Sequence, residues 1–377
     1  MREYALTLLV AAAVTYLVTP LVRNLAVKFG AITAVRARDV HSVPTPRIGG
    51  LAMFAGMAAG LLVASELRYL RDVFQGPTWQ GLLMAGALIT VVGVIDDRWG
   101  MDAFTKFAGQ VAASGILVWK GVQLVWLPLP GGTWALPREV LVFLTILLIV
   151  VTINAVNFVD GLDGLAAGIV GIAAAAFFTY YYVFAVAKGY DRQVDAAMIA
   201  ALLVGMCAGF LPHNFNPARI FMGDTGSMLI GLLLASATIS ITGQFDIRTA
   251  REFNGIIVLL PLLLPLLVLA LPFLDLLLAV VRRTAAGRSP FAPDKKHLHH
   301  RLLEIGHTHR RAVLLMYLWA AIIAFATVTL SIFNQPFVVL GVAVLVAGGA
   351  VLLMTLPRIK ARRAAGAQGT ADQMGSV

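Results

Sequence analysis

Apolar runs of about 18 or more residues recur along the whole of this chain, each long enough to cross ~30 Å of hydrocarbon as a helix. The 377 residues are 59% hydrophobic and 13% charged, with a mean hydropathy of +0.86, far outside the balance of a soluble domain. The expectation is an all-α, polytopic integral membrane protein of about eleven transmembrane helices. They run roughly over 5–27, 48–66, 79–95, 104–119, 139–157, 162–186, 194–211, 224–242, 256–281, 312–332 and 337–356. The first run begins at Ala5, is too long for a signal-peptide core and lacks a small-residue cleavage site, so it counts as a span. Pro261, Pro265 and Pro272 predict a bent ninth helix. One multi-span domain then covers 1–357, with a basic, disordered cytoplasmic tail at 358–377. The one cysteine, Cys207, excludes an intramolecular disulfide.

The net charge of +10 has a plainer cause than nucleic-acid binding. With the N-terminus outward, 20 of the 29 Lys and Arg fall on one side, which the positive-inside rule makes the cytoplasm of a cell membrane. All seven histidines fall there too. The outer loops are chemically poor. The segment 124–137 has two short apolar arms about Gly131 and Gly132 and reads as a small hairpin, with Trp126 and Trp134 at the membrane interface.

Polar chemistry concentrates first in TINAVNFVDGLDGLAAG, residues 152–168. Asn154, Asn157, Asp160 and Asp163 recur at three-residue intervals, which on a helix would make one polar band. Gly161, Gly164 and Gly168 leave room for a ligand or another backbone.

The inner loops repeat the theme. Arg47 and His41 in RDVHSVPTPRIGG suit either an anionic ligand or the headgroup interface. Asp96 and Asp97 are adjacent at a helix end, with Lys106 following. Such a pair gathers a metal, serves as a base, or ends the helix in solvent. In HNFNPARIFMGDTGS, Asp224 lies between two glycines at the mouth of span eight, as a ligand or as a helix cap. Phe221 offers a face that stacks on a base or packs. Asp275, in the inner half of span nine, pairs with a cytoplasmic arginine or belongs to the site. The long loop from Arg282 to Arg311 gathers His297, His299, His300 and Arg301. Dense histidines suggest transition-metal ligation, but Lys295, Lys296 and Arg301 around them favour an anion, phosphate above all, or lipid headgroups. Together, carboxylates and amides suited to Mg²⁺ and cations suited to a diphosphate imply phosphoryl transfer at the cytoplasmic interface.

Five stretches, PTPRIGG, DDRWGMDAFTKFAGQ, NAVNFVDGLDGLAAG, FNPARIFMGDTGS and DKKHLHHRL, stand in the order found in the polyprenyl-phosphate N-acetylhexosamine-1-phosphate transferases, which the chain resembles from residue 44 to 301. The resemblance implies transfer of a sugar 1-phosphate from a UDP-sugar to a polyprenyl phosphate, with release of UMP. It implies Asp224 as the main Mg²⁺ ligand with Asn157 beside it, Mn²⁺ being an alternative metal. It matches Asp96 and Asp97 to a pair linked to activating the lipid phosphate, and Lys106 to a lysine that contacts phosphate. Asp160 and Asp163 would line the nucleotide-sugar pocket with Asn154 nearby, and Phe221 would lie near the uracil. His297, His299 and Arg301 would meet the diphosphate, with His300 and Arg47 as further substrate-binding candidates, and the bent ninth helix would border a groove for the polyprenyl chain. The HLHH pattern is closer to the branch using UDP-N-acetylglucosamine than to the branch transferring phospho-MurNAc-pentapeptide. The expected partners are UDP-GlcNAc, polyprenyl phosphate and membrane lipids, with a homodimer left open and no nucleic acid. A solute transporter is the rival class, since interrupted helices with charge also mark transport pathways. A lipid-binding scaffold is a third.

Overall fold

The computed structural model describes residues 1–32, 44–129, 132–134, 136–183, 194–242, 308–332, 335 and 337–352, with positions 267, 281, 284 and 285 standing alone. His41, Asp275, the span at 256–281 with its prolines, the cluster His297, His299, His300 and Arg301, and the tail lie outside the described residues.

The apolar runs fold as helices: α1 (Arg2–Lys28), α2 (Gly50–Glu66), α3 (Thr78–Trp99), α4 (Ala103–Trp119), α5 (Arg138–Val159), α6 (Leu165–Tyr182), α7 (Val194–Asn214), α8 (Gly223–Thr242), α9 (His309–Ile332) and α10 (Phe337–Leu352). Six of these, α1, α3, α5, α6, α7 and α9, are long and apolar enough to cross a membrane, and α2 and α10 are shorter apolar helices. This is a multi-pass membrane protein. The 124–137 segment contains the expected hairpin, β1 (Leu127–Leu129) pairing antiparallel with β2 (Gly132–Trp134). Trp126 departs from expectation. It is 2% exposed and packs into the core instead of anchoring at the interface.

Helix α8 occupies the middle of the bundle, against α2, α3, α5, α6 and α7. Its apolar residues from Met228 to Ile239 are buried all round, while α1 turns Leu6, Leu9, Leu17 and Leu21 outward. A helix that is apolar on every face belongs inside a bundle, and one with an outward leucine row faces lipid.

Small residues set the spacing. Gly56 and Gly60 of α2, and Gly205 and Gly209 of α7, each four apart, bring those helices onto α1 near Leu8, Ala11, Ala12 and Thr15. Lipid gives helices no hydrophobic reason to associate, so close backbone packing at such pairs carries much of the association. The same device recurs at the N-terminal end of α8. Gly50 lies against the backbone of Thr225 and Gly226, and Gly93 of α3 against Thr225 from the other side. Just before α2, Ile48 takes φ 67, a costly conformation for a β-branched residue. That turn aims the Gly49 and Gly50 amides at the carbonyls of Phe221 (3.0 Å) and Met222 (3.1 Å).

One expectation is overturned at the α5–α6 junction. The three-residue interval does not continue as one helical band, because α5 ends at Val159 and α6 begins at Leu165. Gly164 adopts φ 78, a left-handed turn that glycine enters without steric cost. Asn154 and Asn157 therefore sit on helix, and Asp160 and Asp163 in the turn beyond it.

Substituting Gly50 by valine forces side-chain atoms into the backbone of α8, an overpacking cost of about 1–3 kcal/mol. The expected result is a lower melting temperature of the purified protein in detergent, while Gly115→Ala, where no atom lies within 4 Å, does not lower it.

Candidate functional site

Four helices bring polar groups to one end of the bundle. Helix α3 runs one turn past its apolar stretch and carries Asp96 and Asp97 on that turn. Asp102 then caps α4, its Oδ1 accepting from the amides of Phe104 (3.1 Å) and Thr105 (3.0 Å), which starts α4 abruptly after a short link. The first turn of α4 presents Lys106, α5 presents Asn157, and α8 begins with Gly223-Asp224.

These side chains meet. Lys106 Nζ donates to Asp96 Oδ2 at 3.0 Å and also to Asp224 Oδ2, so one ammonium lies between two carboxylates. Asp96 Oδ1 accepts from the Met101 amide at 2.7 Å. Asn157 Nδ2 donates to Asp224 Oδ1 at 2.6 Å and to Ser227 Oγ at 2.8 Å. Asp97 turns to the start of α8: its Oδ1 accepts from the Asp224 amide (3.0 Å), and its Oδ2 from the Thr225 amide (3.0 Å) and hydroxyl (2.6 Å). The cap at Asp224 foreseen from sequence is thus supplied by Asp97 from another helix.

Asp160 stands beside this cluster, half-buried. Loss of water around its carboxyl pushes it up to about 8, the charges of Asp224 and Asp97 add to the rise, and Arg47 opposes it. Arg47 itself is exposed on the loop before α2.

Asp163 faces elsewhere. It is 1% exposed, and its Oδ2 accepts from Asn216 Nδ2 (3.0 Å) and the Ala218 amide (3.1 Å). It holds the loop that leads to Phe221. Asn214 ties the same parts together, accepting from the Gly164 amide at 3.1 Å and donating to the Ile220 carbonyl at 3.0 Å. Arg310 Nε donates to the Asn216 carbonyl at 2.8 Å, and the Tyr317 hydroxyl donates to the Gly164 carbonyl. Phe221 is half-buried, with its amide on the Pro46 carbonyl at 2.8 Å. Asn154 lies one turn away from Asn157 along α5 and pairs with Gln110 of α4, Nδ2 to Oε1 at 2.7 Å.

Of the residues singled out in sequence, the structure joins Asp96, Lys106, Asn157 and Asp224, sets Asp97 and Asp160 beside them, and leaves Asp163 and Asn154 in neighbouring networks. Gln110, Asn214, Thr225, Ser227, Arg310 and Tyr317 were not anticipated. Gln110 carried a signal, an amide one helical turn after Lys106 among small and apolar residues.

Among the described residues no three His, Cys, Asp or Glu side chains converge as a ready-made metal cage. Two carboxylates do converge around a cation that is already present as Lys106, and the Asn157 amide joins them through Asp224. Magnesium is held by one or two carboxylates, with water and substrate phosphate completing its shell, so this donor set fits it.

The sequence model for glycosyl transferase family 4 matches residues 79–242, which contain Asp96, Asp97, Lys106, Asn157 and Asp224. The chain is 49% identical over 379 residues to the decaprenyl-phosphate N-acetylglucosaminephosphotransferase of Mycolicibacterium smegmatis, covering 98% of this chain and 91% of that relative. The chain belongs to glycosyl transferase family 4. A second relative, from Mycobacterium tuberculosis and of the same name, is 49% identical over 95% of this chain and 90% of its own. The undecaprenyl-phosphate alpha-N-acetylglucosaminyl 1-phosphate transferase of Salmonella typhi is 30% identical over 82% and 79%.

Replacing Asp163 by alanine removes the acceptor that holds Asn216 and Ala218. The expected outcome is faster proteolytic cleavage in the 214–221 loop of detergent-solubilised protein. The cleavage pattern of a Gly115→Ala control is expected to match the parent.

Proposed function

We propose that this chain transfers N-acetylglucosamine 1-phosphate from UDP-GlcNAc to a polyprenyl phosphate, giving polyprenyl-diphosphate-GlcNAc and UMP. The carrying observation is the convergence of Asp96, Lys106, Asn157 and Asp224 from four helices at one end of the bundle. The names of the mycobacterial and Salmonella relatives support the substrates.

In this reading an oxygen of the lipid phosphate attacks the sugar-linked phosphorus of UDP-GlcNAc. A new phosphorus–oxygen bond forms as the bond to the UMP phosphate breaks. A proton on the attacking phosphate passes to a carboxylate of the Asp96–Asp97 pair. Lys106 orients and neutralises phosphate oxygens at the α4 end, while Asp160 and Phe221 border the nucleotide-sugar side. Asp224 and Asn157 would hold Mg²⁺, which when bound would supply charge stabilisation for the diphosphate. His297, His299, His300, Arg301 and Arg47 supply further cations for the same anion.

The site is proposed to face the cytoplasm. In this reading the ten described helices belong to a single multi-span domain. The surplus of Lys and Arg on the loops at the site's end supports this orientation.

Purified protein with polyprenyl phosphate, Mg²⁺ and a panel of UDP-sugars is expected to release UMP with UDP-GlcNAc and not with UDP-MurNAc-pentapeptide. Chelation should stop the reaction and Mg²⁺ restore it. Asp224→Ala is expected to lose at least the ~10²–10³ in rate typical of one preorganised electrostatic group. Near-normal turnover of that variant would remove Asp224 from the metal site. For topology, cysteines introduced singly at Asp72 and Asp102 in a Cys207→Ala background should react with an impermeant maleimide from opposite sides of the membrane. Labelling from the same side contradicts the orientation.

A further inference from the structure

The two adjacent aspartates of α3 part company in the structure. Both carboxylate oxygens of Asp97 are engaged at the N-terminus of α8, by the amides of Asp224 and Thr225 and by the Thr225 hydroxyl. The first residue of that helix, Gly223, takes φ 68, and the nearest atoms to a Cβ built there are those of the Asp97 carboxylate. Gly93, four residues before Asp97 on α3, meets the backbone of Thr225. Two glycines thus clear space for Asp97 to reach the helix end. Asp96 has a different set of partners, Lys106 and the Met101 amide.

We infer that Asp97 is a positioning residue that caps α8 from α3 and so fixes Asp224. Helix α8 opens with amides that have no partner within the helix, and a carboxylate there satisfies them and complements the helix dipole. The amide of Asp224 is one of the groups capped. The cap therefore fixes the backbone from which the Asp224 side chain projects toward Asn157 and Lys106. This role rests on the transferase reading above for what Asp224 does, and on geometry alone for what Asp97 does.

The two roles differ in size and in what they change. Loss of a helix cap corresponds to about two- to thirtyfold in an equilibrium, whereas loss of a general base costs ~10²–10⁴ in rate and leaves metal binding intact. The test uses full-length protein in detergent carrying Asp97→Asn, which keeps one acceptor oxygen, and Asp97→Ala, which keeps none. Mn²⁺ affinity is measured by paramagnetic resonance titration without substrates, with Asp224→Ala as the loss control, beside kcat for UMP release. The expected result is a fall in Mn²⁺ affinity and kcat together, small for asparagine and larger for alanine. A kcat reduced more than ~10²-fold in Asp97→Asn with unchanged Mn²⁺ affinity overturns the inference and makes Asp97 the base. The asparagine variant alone is decisive if alanine prevents folding. Should the parent protein release no UMP at all, the transferase reading fails, and the Mn²⁺ titration still decides whether Asp97 holds Asp224 in place.

Discussion

A single ammonium between two carboxylates is the interaction on which the rest of the structure depends. Asp96 and Asp224 come from helices far apart in sequence, and without Lys106 their like charges would drive those helix ends apart. Both aspartates and the lysine keep only part of their side-chain surface open, between 14% and 26%. Removing one partner from such a group leaves an uncompensated charge, a loss of about 3–5 kcal/mol when the group is fully buried and less at this partial exposure. The arrangement also suits the proposed chemistry. A place where a cation already satisfies two carboxylates is a place where a phosphate can claim the lysine and a metal can claim the acids.

Around that centre, small residues set the geometry. Gly50 and Gly93 let α2 and α3 touch the backbone of α8 where Asp224 starts, and Asp97 holds the exposed amides of that helix. The loop before α2, the α5–α6 turn and the 214–222 segment are cross-linked through Phe221, Asn214, Asp163 and Tyr317. The cluster therefore rests on hydrogen-bonded backbone instead of on flexible loops, which is how a site keeps its geometry while charged substrates come and go.

Much of this was legible in the sequence, for different reasons at each level. Hydrocarbon thickness imposes helix length, so the apolar runs gave the described helices to within a few residues. The motif stretches gave Asp96, Lys106, Asn157 and Asp224, and the structure brings them together. The four-residue polar band failed at Asp160 because periodicity counts spacing, while the backbone obeys Gly161 and Gly164. The place of Trp126 in the core was not legible, because composition cannot tell an interface tryptophan from one that packs against the bundle. The division of labour between Asp96 and Asp97 was invisible, since adjacent residues on a helix point about 100° apart and only the partners reveal where each one goes.

The most direct test of the central claim is a double-mutant cycle on UMP release between Lys106→Met and Asp224→Asn, with both variants checked for folding by thermal melting. Groups that act as a unit are strongly non-additive, so the double variant is expected to be no slower than the worse single one within about threefold. Rate losses that multiply across the two positions would mean that Lys106 and Asp224 serve separate sites.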